Sequence, residues 1–167
     1  MVVNYKKLGS RAIAPTRGSA CAAGLDLYAL IQNGAKSQRI PAGATVKIGT
    51  GIAMEIPDGY FGAVFARSGL ATKMGLRPAN CVGVVDSDYR SEIIVALHND
   101  TDNCQTIRDG DRVAQLVIMP YLPVELCEMT DLSDTARGAG GFGSTGGIST
   151  SEATENFLSP AAILAGA

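Results

Sequence analysis

Punctuation by glycine and proline constrains this chain more than any other feature: 20 glycines and 7 prolines among 167 residues cut its apolar residues into short runs. Short runs separated by turn formers predict an all-β sandwich or barrel rather than a helical bundle. Val46 and Ile48, then Ile52, Met54 and Ile56, alternate with polar or small residues, and Gly49-Thr50-Gly51 interrupts the alternation. That is the pattern of a half-buried strand with a break in it. Tyr60 to Phe65, Ser91 to Leu97 and Arg112 to Met119 read as further strands, with turns at Pro57-Asp58-Gly59, Asn99 to Asn103 and Asp109-Gly110-Asp111. The best helical candidate is one or two turns near Ser68 to Met74, and no internal repeat is present.

Charge and cysteine usage narrow the function. A formal net charge of −2 supplies no broad basic field, which argues against extended nucleic-acid binding, so an anionic ligand must be held by a few placed arginines. Cys21, Cys81, Cys104 and Cys127 form no C-x-x-C pair and His98 is the only histidine, so there is no zinc signature. Met1 to Thr16 lacks the apolar core of a signal peptide, and no apolar run approaches membrane-spanning length. The expectation is a soluble cytoplasmic protein with reduced thiols and neither a nucleic-acid nor a membrane partner.

Five segments carry chemistry. In Ala23 to Ala29, Asp26 sits between Leu25 and Leu27 at strand spacing, facing away from both; it is either a solvated surface group or a functional one. In Ala66 to Ala71, a Ser68-Gly69 step entering a helical turn offers unpaired N–H groups and Arg67 a phosphate fork; the alternative is an N-cap serine beside a surface arginine. Asn80 to Glu92 reads as a hairpin-like segment with Asp86 and Asp88 at period two. If strand geometry holds there, the two carboxylates share a face, each raises the other's proton affinity, and one serves as a general base; otherwise this is an Asp-rich turn. In Gly110 to Ile118, Gln115 is a polar side chain within a largely buried strand, so it is a hydrogen-bond hub or a ligand contact.

The fifth segment, Arg137-Gly138-Ala139-Gly140-Gly141-Phe142-Gly143-Ser144-Thr145-Gly146, is half glycine yet carries one arginine, one aromatic ring and two adjacent hydroxyls. Glycines let backbone N–H groups approach a ligand closely. Arg137 suits phosphate oxygens, Ser144 and Thr145 add hydroxyls, and Phe142 offers a face to a base, so the segment reads as a flexible flap over a nucleotide rather than a Gly-rich linker.

Taken in this order, the five segments resemble the five motifs of the trimeric dUTP pyrophosphatases (dUTPases), a resemblance spanning Ala23 to Gly146. It implies a jelly-roll-like β-barrel over 1–136 and an arm at 137–146 that closes a neighbouring subunit's site. The remainder, 147–167, is an extension that is either disordered or docked on a neighbour. It further implies a homotrimer that hydrolyses dUTP to dUMP and pyrophosphate, with Mg2+ on the triphosphate. Asp86 would activate water for attack on the α-phosphorus. Asn80 and the backbone of Gly83, Val84 and Val85 would read the uracil edge, excluding thymine by its methyl group and cytosine by its donor pattern. Tyr89 would lie under the deoxyribose, and Arg67, Ser68, Gly69 and Gln115 would hold phosphates. No residue would ligate the metal directly; Asp26 and Gln115 would steady its waters. Arg137, Phe142, Gly143, Ser144 and Thr145 would complete the substrate set, Phe142 on the base and Arg137, Ser144 and Thr145 on the terminal phosphate. Ser91 and Ala66 stand where that family commonly has glycine and proline, substitutions expected to tune rather than abolish activity. The rival readings are a dCTP deaminase of the same fold and a nucleotide-sensing regulatory trimer.

Overall fold

The computed structural model describes residues 1–141; Phe142 to Ala167 lie outside the described residues. The chain divides into two compact units, Met1–Val124 and Glu125–Ala167. In the first, the described residues form β1 (Asn4–Lys7), β2 (Thr16–Arg17), β3 (Leu25–Tyr28), β4 (Ser37–Ile40), β5 (Thr45–Gly49), β6 (Ile52–Glu55) and β7 (Tyr60–Phe65). After β7 come α1 (Ser68–Met74), β8 (Leu76–Pro78), β9 (Gly83–Val85), β10 (Ile94–Asn99), β11 (Gln105–Arg108) and β12 (Arg112–Pro120). The all-β, jelly-roll-like expectation holds, with one short helix among the described residues. Its bounds, Ser68–Met74, are those expected, and Gly75 ends it at φ 61°. There the left-handed backbone, together with Thr101 Cγ2 close to where a Cβ would stand, favours glycine.

Every strand pairing is antiparallel. The largest sheet runs β2-β3-β12-β7-β9, beside a three-stranded sheet β5-β10-β8 and the pairs β1-β6 and β4-β11. The long strand β12 is central because it is buried on both sides: Val113, Ala114 and Leu116 are fully covered, and it joins a core with Leu27, Ile48, Ile52, Leu76 and Leu97. The alternation read across Gly49-Thr50-Gly51 resolves into β5 and β6. Gly51, at φ 66° and hard against Ala12 and Leu30, makes the sharp change of direction that a side chain would block.

Two sequence expectations are corrected. The strand expected from Ser91 begins at Ile94, because residues 92 and 93 are bonded instead to the β5–β6 turn: Gly51 N–H donates to Glu92 Oε1 at 2.7 Å and Ile93 N–H to Ile52 O at 2.8 Å. The hairpin-like reading of Asn80 to Glu92 also fails. β9 pairs with β7, whereas β10 pairs with β5 and β8, so this segment crosses from one sheet to another.

Asn99 ends β10 fully buried and acts as the hub of the turns around it. Its amide donates to Ile40 O (2.9 Å), Pro41 O (3.1 Å) and Asn103 O (2.8 Å), and its carbonyl accepts from Thr101 N (3.0 Å) and Oγ1 (2.8 Å). Asn99→Ala strips several buried groups of partners at once, at about 1–3 kcal/mol for each group left unsatisfied. We expect a stability loss of at least about 2 kcal/mol in urea titration; a loss within about 0.5 kcal/mol, that of an ordinary surface change, would show that the hub is dispensable.

Candidate active site

β9 is the edge strand of the large sheet. One side pairs with β7 in the register Gly62↔Val85, Ala63↔Val84, Val64↔Gly83. On the other side its N–H and C=O groups have no strand partner among the described residues, so they are available to a ligand's polar edge. Gly83 permits the tight fit to β7, since a Cβ there would lie 3.2 Å from Val64 Cβ. A pocket of about 290 Å³ opens beside this edge. It is lined by Asn80, Gly83, Val84, Val85, Asp86 and Tyr89, six of the residues expected in the site, and walled by Glu92 to Ala96 of the crossing segment and β10.

The chain reaches the pocket through a turn with Cys81 at φ 61°, closed by Cys81 N–H to Pro78 O at 3.1 Å. β9 ends at Val85, so Asp86 begins a turn and the strand geometry that was to put Asp86 and Asp88 on one face is absent. Asp86 is exposed at the pocket mouth. Asp88 instead joins Asp86, Ser87, Phe61 and Tyr121 around a separate hollow of about 430 Å³. Tyr89 is anchored at its far end, its hydroxyl donating to Glu92 O at 2.9 Å.

A second cluster forms on β3, β12 and the entry to α1. Asp26, 7% exposed, is not a solvated surface group. Its Oδ1 accepts from Arg67 Nε at 2.9 Å and its Oδ2 from Arg112 Nη1 at 3.2 Å. The sequence assigned nothing to Arg112. A bulge in β12 explains its role: Ala114 pairs with Leu27, but Arg112 pairs with Tyr28, so Val113 is the extra residue. Without the bulge, alternation would turn Arg112 to the face of Ala114 and Leu27; with it, Arg112 shares the face of Tyr28 and Asp26.

Gln115 lies opposite Asp26 on one side and Phe65 on the other. It is half-buried rather than buried, and its amide makes no hydrogen bond among the described residues, so it is not a structural hub. Gly24 leaves it room, since a Cβ there would stand 3.0 Å from Gln115 Oε1. The N-cap of α1 is Arg67, not Ser68, and no side chain caps the helix. Ser68 and Gly69 are therefore first-turn residues, exposed, with N–H groups lacking intrahelical partners.

Arg67 lines a pocket with Arg108, Arg112 and Asp111, and not the one that holds Asn80 and Tyr89. The chain thus brings the expected residues together as two groups. In the second unit, Arg137 donates through Nε to Gly140 O at 3.1 Å and is exposed. Phe142, Gly143, Ser144 and Thr145 lie outside the described residues.

Asp26 has each oxygen engaged by a guanidinium, and no three His, Cys, Asp or Glu side chains gather into a metal cage among the described residues. With both oxygens so engaged, Asp26 would meet a magnesium ion through the ion's waters rather than ligate it directly. No helix among the described residues is long and apolar enough to cross a membrane.

The dUTPase family model matches residues 10–146. A deoxyuridine 5'-triphosphate nucleotidohydrolase of Desulfitobacterium hafniense is 51% identical over 126 residues, 75% of this chain and 82% of that protein. One from Paramecium bursaria Chlorella virus 1 is 41% identical over 141 residues, 84% of this chain and 95% of that protein. The structure of the Staphylococcus bacteriophage 80alpha dUTPase with dUPNHPP superposes with TM-score 0.77 at 28% identity, covering 87% of this chain and 98% of that one.

Because Asp26 ties two guanidiniums together, Asp26→Asn removes the charge that holds both. Hydrogen bonds to charged groups are worth about 1.5–3 kcal/mol each. Both arginines are partly solvated, so we expect a total stability loss of about 1.5–3 kcal/mol by chemical denaturation. Unchanged stability would mean that the two arginines are held without Asp26.

Proposed function

The chain belongs to the dUTPase family, and on that premise we propose that it hydrolyses dUTP to dUMP and pyrophosphate, keeping uracil out of DNA and supplying dUMP for thymidylate synthesis. The observation that carries this reading is the convergence of Asn80, the open backbone edge of Gly83 to Val85, Asp86 and Tyr89 on one pocket.

The edge strand reads the base. Its N–H and C=O groups, with the Asn80 amide, match the alternating donors and acceptors of uracil, and a wall at backbone distance has no space for a methyl group at the position thymine carries it. Tyr89 lies under the sugar, where a 2′-hydroxyl would collide. Asp86 takes a proton from water as the water oxygen bonds to the α-phosphorus; the bond from that phosphorus to the bridging oxygen breaks, and pyrophosphate leaves with the electron pair. The guanidinium of Arg67, held by Asp26, and the free N–H groups of Ser68 and Gly69 with the Gln115 amide receive phosphate oxygens. Asp26 and Gln115 would meet the waters of a magnesium ion, which would supply neutralisation of charge on the triphosphate.

We further propose a homotrimer with shared active sites, in a cytoplasmic setting. The separation of the two residue groups within one chain supports shared sites. So do the uncovered apolar side chains of Val84 (63% exposed), Ile94 and Tyr121, which a single chain leaves in water. The strands end at Pro120, and residues 137–146 are the arm that would bring Arg137, Phe142, Gly143, Ser144 and Thr145 to a neighbour's site.

Incubation with each deoxynucleoside triphosphate and magnesium tests the reaction, with dUTP alone expected to release pyrophosphate rapidly; ammonia from dCTP would identify a deaminase instead. Asp86→Asn keeps the shape of the side chain but lacks the basic lone pair, so dUTP binding should persist while turnover falls roughly 10²–10⁴-fold. Near-normal turnover would remove Asp86 from the mechanism. Deleting everything from Arg137 onward should leave a folded oligomer with little activity, because the charged bonds of Arg137, about 1.5–3 kcal/mol each, go with it. Deletion from Gly147 should leave activity largely intact; the opposite pattern would overturn the division between arm and extension.

A further inference from the structure

The β5–β6 turn lies outside the pocket, yet it is bonded to the segment that carries Tyr89. Thr50, fully buried, donates its hydroxyl to Ile93 O at 2.7 Å and accepts from Ile52 N–H at 3.3 Å. Gly51 N–H donates to Glu92 Oε1 at 2.7 Å, and Ile93 N–H to Ile52 O at 2.8 Å. Residues 92 and 93 are therefore clasped to this turn by three bonds. Both glycines flanking Thr50 are needed for the clasp. A Cβ on Gly49 would meet Glu92 Oε1 at 2.6 Å, and Gly51 adopts φ 66°.

Glu92 and Ile93 also wall the pocket, and one side-chain hydrogen bond runs from the clasp to Tyr89. Tyr89 is 41% exposed, and its hydroxyl has one partner among the described residues, the backbone carbonyl of Glu92 at 2.9 Å. The direction of the Tyr89 ring thus depends on where Glu92 O sits; that carbonyl shares its peptide unit with Ile93 N–H, which is bonded to Ile52 O, while the Glu92 carboxylate ties the same residue to Gly51 N–H. We propose that Glu92, anchored on the Gly49-Thr50-Gly51 turn, is a positioning residue that sets the Tyr89 ring and with it the discrimination between deoxyribonucleotides and ribonucleotides.

The inference rests on the reading of Tyr89 as the sugar platform and goes beyond it, because it assigns sugar selectivity to a residue of the pocket wall that acts through Tyr89. A ring that is free to tilt would admit a 2′-hydroxyl, whereas a purely structural clasp would change stability and leave selectivity alone.

The experiment compares kcat/KM for dUTP and for UTP in the full-length protein and its variants. Tyr89→Phe keeps the ring and removes only the donor; Glu92→Ala removes the anchor; Glu92→Gln keeps an acceptor for Gly51 N–H. The expected result is a dUTP-over-UTP preference reduced about tenfold in Tyr89→Phe and in Glu92→Ala, the factor equivalent to ~1.4 kcal/mol. The two changes combined should do little more than either alone, and Glu92→Gln should restore the preference. Tyr89→Ala separates this inference from its premise. If Tyr89→Ala relaxes the preference but Tyr89→Phe and Glu92→Ala do not, the clasp has no part in selectivity and the inference is overturned. If Tyr89→Ala itself leaves the preference intact, the sugar-platform reading falls first. Should Glu92→Ala fail to fold, Glu92→Asp, which shortens the reach to Gly51 N–H, replaces it beside Tyr89→Phe, and an unchanged preference in both overturns the inference.

Discussion

The register of β12 between β3 and β7 is the constraint on which the rest depends. Leu116 faces Leu25 on one side and Val64 on the other, and Ala114 and Leu116 are buried completely. A slip of one residue would turn that apolar set to the opposite face, so burial fixes the register strongly. With the register fixed, Gln115 must stand between Asp26 and Phe65. The bulge at Val113 then puts Arg112 on the face of Asp26, which receives Arg67 from the end of β7 as well. A surface of guanidiniums and an amide thus emerges from the packing of leucines, alanines and valines.

The same sheet places the open edge of β9 two strands away. Because β7 pairs with β12 on one side and β9 on the other, Gly83 to Val85 inherit their position from the core. The crossing segment then carries the chain to β10 in another sheet, and the gap between the two sheets is the pocket. Pocket and arginine cluster consequently share one rigid element, β7, which presents Val64 to the first and leads into Arg67 of the second.

What the sequence revealed follows from range. The helix at Ser68–Met74 and the strand Tyr60–Phe65 match their expected bounds because apolar residues and a glycine stop mark them locally. Strands such as β1, Asn4–Lys7, are exposed along their whole length and carry no alternation to read. Asp26 was ambiguous because its partners lie 41 and 86 residues away, and nothing within Ala23 to Ala29 signals them. Arg112 depends on a bulge, and Glu92 on a turn some forty residues upstream, as the 41-residue separation of its bond to Gly51 records. The glycine break at residues 49–51 was visible as a break, but that its purpose is to receive a carboxylate could be seen only once the chain had folded.

An unpaired strand edge exposes donors and acceptors to any other chain, and proteins blunt such edges by making them short or charged. β9 is three residues long and runs straight into Asp86 and Asp88, both exposed. The edge therefore has room for a ligand the size of a nucleobase and little for a further strand, which would have to bring its backbone against two carboxylates. If Asp86 is the group that activates water, the acid needed for chemistry also closes the edge needed for recognition. A single turn after Val85 then accounts for how open backbone and a reactive carboxylate stand side by side without inviting aggregation.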